Sequence, residues 1–501
     1  MTPKRISYWL QTARPITSDT MANSLTTDVL IIGAGITGLT AAYLLKKAGL
    51  KVIVIDQKQI ACAESGYTTA HLTEYIDSRY AHLAKVFGSN ALHDAASSTK
   101  FALEAISNII QELNIKCQFE RTPLFLFASS RKQLPLLQKE VLAARDLGWH
   151  LSIKRESLPI PSHGWLRIDN QAQFHPQHYL AALVKAIVGR GNSIFSNTRA
   201  LKITESKAGC LVETERGTII SKSTIIASHA PFGEVSSLIT KVAAYRTYAI
   251  AFSTDESYRL LPGLFWDLDS PYHYIRLYKG LVIIGGEDHK TGNGDATLAY
   301  NKLQNYAYQH FPVKRIIATW SGQILQSVDG LPFIGRKPST EKVYVATGFN
   351  GNGMTFGTLA GYMLSEMILG RENRWAYLYD PSRSTVSSGI STICNYFQEN
   401  KDYPLNYVKD RLTWHKNISL TPLQKGEGKI VRINEELVAV SKDTHGKIHA
   451  LSPICSHMGC YVHWNNAESS WDCPCHGSRF DMEGKVLTGP VLHNLRRFRF
   501  Q

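Results

Sequence analysis

The 501-residue chain lacks any uninterrupted apolar run near the roughly 20 residues that a membrane-spanning helix needs, so no membrane span is expected. Its basic N-terminal segment MTPKRISYWLQTARPITSDTMANS has no apolar core of the secretory-signal kind. Basic tracts are scarce, the longest being the terminal LRRFRF, and there is no nucleic-acid-binding motif. The formal net charge of +14 therefore reads as a generally basic surface, with no nucleic acid expected as partner. Cysteines are few outside one cluster. Cys62, Cys117, Cys210 and Cys394 are scattered, as buried thiols of a reducing compartment are, and a cytoplasmic location is expected. Hydrophobic residues at 44% and charged residues at 19% suit a soluble globular protein, too long for one ordinary domain.

Against these absences stand two dense motif sets. Near the start, DVLIIGAGITGLTAAYLLKKAGLKVIVID reads as strand, glycine-rich turn, helix and second strand. Gly33 permits the tight turn, Gly35 lets a pyrophosphate approach the backbone at the positive helix end, and Gly38 allows close helix and strand packing. Asp56 ends the second strand, where its carboxylate can accept hydrogen bonds from an adenosine ribose. Near the end, CSHMGCYVHWNNAESSWDCPCHGSRF packs four of eight cysteines and three of eighteen histidines into 26 residues.

The segment ESGYTTAHLTEY, with Thr68 and Thr69, together with SGQILQSVDGLPFIGRKPSTEKVYVATGFNGNGMTFGTLAGYMLSEMI, resembles the FAD-dependent amine and D-amino-acid oxidase superfamily. The resemblance implies FAD, held late in the chain by Asp329, Gly330, Gly351, Asn352, Gly353, Met354 and Thr355, with the strand around Leu201 finishing the adenine side. It further implies an α/β, Rossmann-like FAD-binding domain of the glutathione-reductase type, interleaved with an antiparallel substrate sheet. Period-two spacing in SPYHYIRLYKGLVIIGGEDHKTG puts Tyr272, Tyr274 and Arg276 on one strand face, and the resemblance, in which such a sheet supplies the substrate-facing side chains, implies Tyr274, Arg276 and Glu287 as candidate catalytic residues, Arg276 as anchor for an anionic substrate group. Some relatives attach FAD covalently. WSGQILQSVD holds no cysteine for that purpose, while His71 falls one residue from the position where others use histidine, so attachment stays open. The pair His175 and His178 flanks Pro176, which reads as a helix start rather than a metal site.

The pairs Cys455-x-His457 and Cys473-x-x-His476 resemble the Rieske 2Fe-2S family, with two thiolates on one iron and two imidazoles on the other. That resemblance implies a small all-β domain, a Cys460–Cys475 disulfide joining the ligand loops, and a third shielding loop at Gly489 and Pro490. Expected boundaries are 1–380 for the FAD domain with its inserted sheet, 381–413 for a helical linker, and 414–501 for the Rieske domain. Val386, Ile390, Ile393 and Phe397 recur at helical spacing within the linker. The implied activity is a dehydrogenase that oxidises a small amine or amino-acid-like substrate by hydride transfer to FAD, passing electrons singly through the cluster to an external one-electron protein. Reversed flow in a reductase or monooxygenase, or a pure electron carrier, stays open. The sequence names neither the substrate nor the oligomeric state.

Overall fold

The computed structural model describes residues 5–232, 236–255, 258, 261–384 and 423–498. The expected linker helix falls from residue 385 onward outside the described residues, as does the boundary at 414.

Val29, Leu30, Ile31 and Ile32 are buried on both sides of a sheet, which is why this strand reads as a continuous apolar run rather than an alternation. Leu25–Ile32 lies parallel to Val52–Ile55 and to Gly217–Ile226. The sheet continues outward through Ser193–Ser196 on one side and Val343–Thr347 on the other. Helices Ile36–Lys47, Pro176–Ile187 and Gly353–Ile368 pack together on it. Close approach is possible because Gly38 has no side chain; a Cβ there would lie 1.9 Å from the Gly33 carbonyl oxygen. Pro176 opens a helix, as the sequence predicts, and His175 caps it, its Nδ1 accepting from the His178 amide at 3.4 Å.

An eight-stranded sheet forms the second layer, in the order Val313–Ser327, Val242–Thr254, Leu281–Lys290, Tyr274–Tyr278, Leu264–Asp267, Glu120–Phe127, Trp165–Gln173, His71–Leu72. It is antiparallel except where Leu264–Asp267 runs parallel to Glu120–Phe127. The C-terminal residues form two small antiparallel sheets, one of three strands and one of four. Their shared core is Ile430, Ala439, Val462, Trp471 and Phe480, with Cys455, Cys460 and Cys473 buried in it. Among the described residues no helix is long and apolar enough to cross a membrane.

Candidate functional site

A long cavity runs from the first parallel strands to the eight-stranded sheet. At its nucleotide end it is lined by Gly33, Gly35, Asp56 and Ala200, and further along by Thr68, Thr69, Gly351, Gly353 and Met354. Gly33 has φ +114°, and a Cβ there would sit 2.3 Å from the Ala227 carbonyl oxygen, so only glycine fits the turn. Asp56 is held by two backbone amides, Ala34 and Lys58, each at 2.8 Å. Ser65, which the sequence reading did not single out, accepts from the Ile36 amide at 3.0 Å across the helix start. Glycines that leave room for a backbone approach, a helix N-terminus and a buried acid at the end of the second strand are the donor set that a dinucleotide requires, and FAD fits them.

Several expected contacts lie elsewhere. Leu201 does not line the cavity; Arg199 and Ala200, where the strand Ala200–Ser206 begins, do, Ala200 being buried and Leu201 half-buried. Asp329 is fully buried but paired with Arg383, whose Nε and Nη2 donate to its two oxygens at 2.9 Å each. It anchors the chain at the end of the FAD domain rather than closing over a ligand. Its neighbour Gly330, at φ +93°, lines a second, adjoining cavity with Ser78 and Asn350. Asn352 and Thr355 act as braces: Asn352 bonds the Asp77 amide at 2.7 Å and Thr73 Oγ1 at 2.8 Å, and Thr355 donates to the Thr73 carbonyl at 3.0 Å.

The substrate wall also departs from expectation. Tyr274 lines the cavity, beside Tyr272, Trp266 and His71. Arg276 does not. It is fully buried, its Nη1 donating to the carbonyls of Ala70 at 2.7 Å, Thr69 at 2.9 Å and Phe174 at 3.4 Å, and its guanidinium lies over Trp9 and Tyr278. Period two assigns the correct face, but the strand runs on beneath the 69–70 loop before it reaches Arg276. Arg276→Lys is accordingly expected to lower stability by about 1–3 kcal/mol, since an ammonium cannot reproduce the planar fork. Denaturant unfolding would measure this; a selective loss of substrate binding at unchanged stability would contradict it.

Glu287 also misses the cavity, standing near His273 Nε2 at 3.4 Å and Lys302 at 3.6 Å. The cause is a β-bulge. Between Arg246 paired with His289 and Tyr248 paired with Gly286, Thr247 alone faces both Glu287 and Asp288. Gly286 and Glu287 take positive φ, 149° and 57°, and alternation is reset one residue later.

His71 is informative through its neighbour. Trp266 Nε1 can only donate, and it does so to His71 Nδ1 at 2.9 Å. Burial, with the charge of Arg276, pushes the imidazole well below its usual range, so it is neutral and its proton is on Nε2. That N–H lacks a partner among the described residues.

In the C-terminal domain the four expected ligands meet in two pairs. The Cys455 and Cys473 thiols are buried and in contact, and the rings of His457 and His476 stand perpendicular with centroids 5.0 Å apart. Burial pushes His457 down, and burial together with His457 pushes His476 to about 4, so both imidazoles are in the neutral form that ligates iron. Cys460, Cys473 and Cys475 also lie close together, but the Cys460–Cys475 disulfide uses two of those sulfurs. Two thiols and two neutral imidazoles suit a 2Fe-2S centre of the Rieske kind.

The two sites adjoin. Gln323 lines the long cavity, its backbone amide fixed by Glu64 Oε2 at 2.6 Å, and its Nε2 donates to the carbonyl of Gly477, next to His476, at 2.8 Å. Gly489, Val491 and Leu492, around the expected shielding loop, line the same cavity. Nothing in the sequence marks Gln323 as a bridge, because the contact joins residues 154 apart.

The model for FAD dependent oxidoreductases matches residues 28–367, and that for the Rieske 2Fe-2S domain matches residues 413–499. A putative Rieske 2Fe-2S iron-sulfur protein of Bacillus subtilis is 32% identical over 500 residues, which is 98% of this chain and 97% of the relative. Gamma-glutamylputrescine oxidoreductase of Escherichia coli is 26% identical over 400 residues, 75% of this chain and 91% of the relative. Glycine oxidase of Geobacillus kaustophilus shares the fold, with a TM-score of 0.62 at 19% identity over 72% of this chain and 99% of that one. The chain belongs to the FAD dependent oxidoreductase family and joins that enzyme fold to a C-terminal Rieske 2Fe-2S domain.

Proposed function

We propose that the protein is a flavin-dependent dehydrogenase of a small amine or amino-acid-like substrate whose electrons leave singly through the Rieske centre to an external one-electron acceptor. The observation that carries this reading is the hydrogen bond from Gln323, in the wall of the long cavity, to Gly477 in the second ligand loop. An oxidase returning both electrons to oxygen has no use for such a junction. The relative named for gamma-glutamylputrescine supports an amine as substrate.

When bound, FAD supplies a two-electron acceptor and the 2Fe-2S centre a one-electron carrier. Gly33, Gly35, Gly38 and Asp56 would hold the nucleotide end of FAD, Thr68, Thr69, Gly351, Gly353 and Met354 the remainder. Asn352 and Thr355 keep the 73–77 segment in place. Cys455, His457, Cys473 and His476 would ligate the cluster. Tyr272, Tyr274 and Trp266 give the substrate end an aromatic, water-excluding wall. Free thiols at Cys62, Cys117 and Cys210 support a cytoplasmic setting, the one disulfide among the described residues lying in the cluster loops.

The test is anaerobic mixing of the full chain, carrying both cofactors, with a panel of amines and amino acids. One or more should bleach the flavin without added reductase, followed by appearance of the reduced cluster in electron paramagnetic resonance. Bleaching by none of them, with a reductase able to fill the cluster and then the flavin, would reverse the direction of flow.

A further inference from the structure

Asp288 is the acid that the bulge turns toward Tyr274 in place of Glu287. It interacts with Thr247 as hydrogen-bond partner, and Thr247 Oγ1 lies 2.6 Å from the Tyr274 hydroxyl. Thr247 and Tyr274 both line the long cavity. The second oxygen pathway of Asp288 is unused: Oδ1 is buried and without a hydrogen-bond partner among the described residues. A buried carboxylate oxygen left without a donor is costly to fold around, which points to a functional reason for keeping it.

The polarity of this chain follows from the acid at its end. An ionised carboxylate can only accept, so Thr247 donates to Asp288. Its oxygen then accepts from Tyr274, and the Tyr274 oxygen presents a lone pair to a group in the cavity. The group that suits a lone pair in an aromatic wall is an N–H donor, the ammonium of an amine substrate.

We propose that Tyr274, Thr247 and Asp288 form a proton relay that draws the proton from the substrate's ammonium group into the protein and leaves a neutral amine at the cavity wall. Resting on the dehydrogenase reading for its amine, the relay supplies what that reaction needs, because a nitrogen lone pair must be free before the adjacent C–H can be oxidised. An N–H bond breaks as an O–H bond forms on Tyr274. Tyr274 passes its own proton to Thr247, and Thr247 passes its proton to Asp288. The nitrogen keeps its electron pair, and nothing is oxidised or reduced in this step.

The surroundings suit a group that must both take and release a proton. Burial raises Asp288 to about 7, opposed by the Thr247 hydrogen bond and by His273, and reinforced by Asp77 and Glu287. Tyr274, which opens the neighbouring strand, and Tyr272 just before it interact electrostatically with Asp288, and burial holds both phenols protonated. Asp77 lies beside the Tyr272 hydroxyl at Gly351, and Tyr272 and Asn350 are shared between the long cavity and its more open neighbour. Asp288 itself lines neither cavity and reaches the long one through Thr247 and Tyr274.

The experiment is an infrared difference titration of the holoprotein, following the carbonyl stretch of protonated carboxyl groups. Wild type should show a band with a midpoint near pH 7, as burial of Asp288 dictates. Asp288→Asn should remove it, and Thr247→Val should raise its midpoint by on the order of one pH unit, since the ionised form loses a donor. With any amine that bleaches the flavin, the wild-type rate should fall about tenfold per pH unit below that midpoint. Tyr274→Phe should keep the infrared band yet lose this pH-dependent limb. A midpoint unmoved in Thr247→Val, or the limb retained in Tyr274→Phe, overturns the relay. Should no amine bleach the flavin, the dehydrogenase reading falls, while the infrared titration still decides whether Thr247 is linked to a titrating Asp288.

Discussion

Arg246→Ala is expected to be the most destabilising single change at the junction, at about 3–5 kcal/mol, and to separate the two redox sites. Arg246 belongs to the eight-stranded sheet and is 3% exposed. Its Nη2 donates to both oxygens of Glu468 in the Rieske domain, at 2.9 and 2.7 Å. Glu468 also meets Ser321 and Arg479, and Arg479 in turn donates to Asp472 at 2.9 Å. Removing Arg246 strips a buried carboxylate of one of its two cations. The coupled domains should then unfold at lower denaturant concentration, and electron transfer from flavin to cluster should slow while substrate still bleaches the flavin. Unchanged stability and unchanged transfer would show that the network contributes nothing to docking.

The same network gives a pH dependence of defined sign. Despite the opposing effect of burial, Arg246 and Arg479 lower Glu468 to about 2. Its unfolded counterpart titrates at about 4.3. A group depressed on folding contributes stability that is fully present above the unfolded value and is lost as pH falls through the folded one. Docking should thus hold at neutral pH and weaken between about pH 4 and pH 2. In Arg246→Ala this acid limb should shrink and be complete at higher pH, because only Arg479 remains to hold the folded carboxylate ionised.

Gly477→Ala is the second large effect. Gly477 has φ +73°, where a Cβ costs about 1–2 kcal/mol, and the added carbon would lie 2.2 Å from Ala244 Cβ and 2.8 Å from Gln323 Nε2. Ala244 cannot retreat by rotating a side chain, so the ligand loop must lift from the cavity wall. Electron transfer from flavin to cluster, followed by stopped-flow absorbance, should slow by at least about tenfold, since loop and wall no longer meet through the Gln323 hydrogen bond. Visible circular dichroism of the cluster serves as control for an intact centre. A wild-type transfer rate with the cluster intact would mean that the junction does not set the electron path. Gly292, whose Cβ would lie 2.7 Å from the Pro474 amide nitrogen, makes a similar close approach on the other side of the loop.

What could be read from the sequence alone was the chemistry whose parts are near neighbours in the chain. Gly33, Gly35 and Gly38 declare a phosphate turn because strand, turn and helix are consecutive and each glycine meets a local steric demand. Cys455 with His457, and Cys473 with His476, declare a cluster because each ligand pair comes from one loop. The buried runs Val29–Ile32 and Val52–Ile55 likewise announce a covered parallel sheet. Tertiary structure decided whatever depends on register or on distant partners. Arg276 shares the strand face of Tyr274, yet how far the cavity extends along that strand is set by the 69–70 loop packed above it. Asp329 belongs to a motif that resembles a flavin contact, yet Arg383 captures it. Glu287 yields to Asp288 because one extra residue in a bulge exchanges the two faces of a strand, a shift that period-two counting cannot detect. The docking of the cluster loop on Gln323 depends on matching two surfaces folded from separate stretches of chain. Local spacing records which groups a cofactor needs; only the packed chain records which side chains reach it and which are consumed in holding the walls apart.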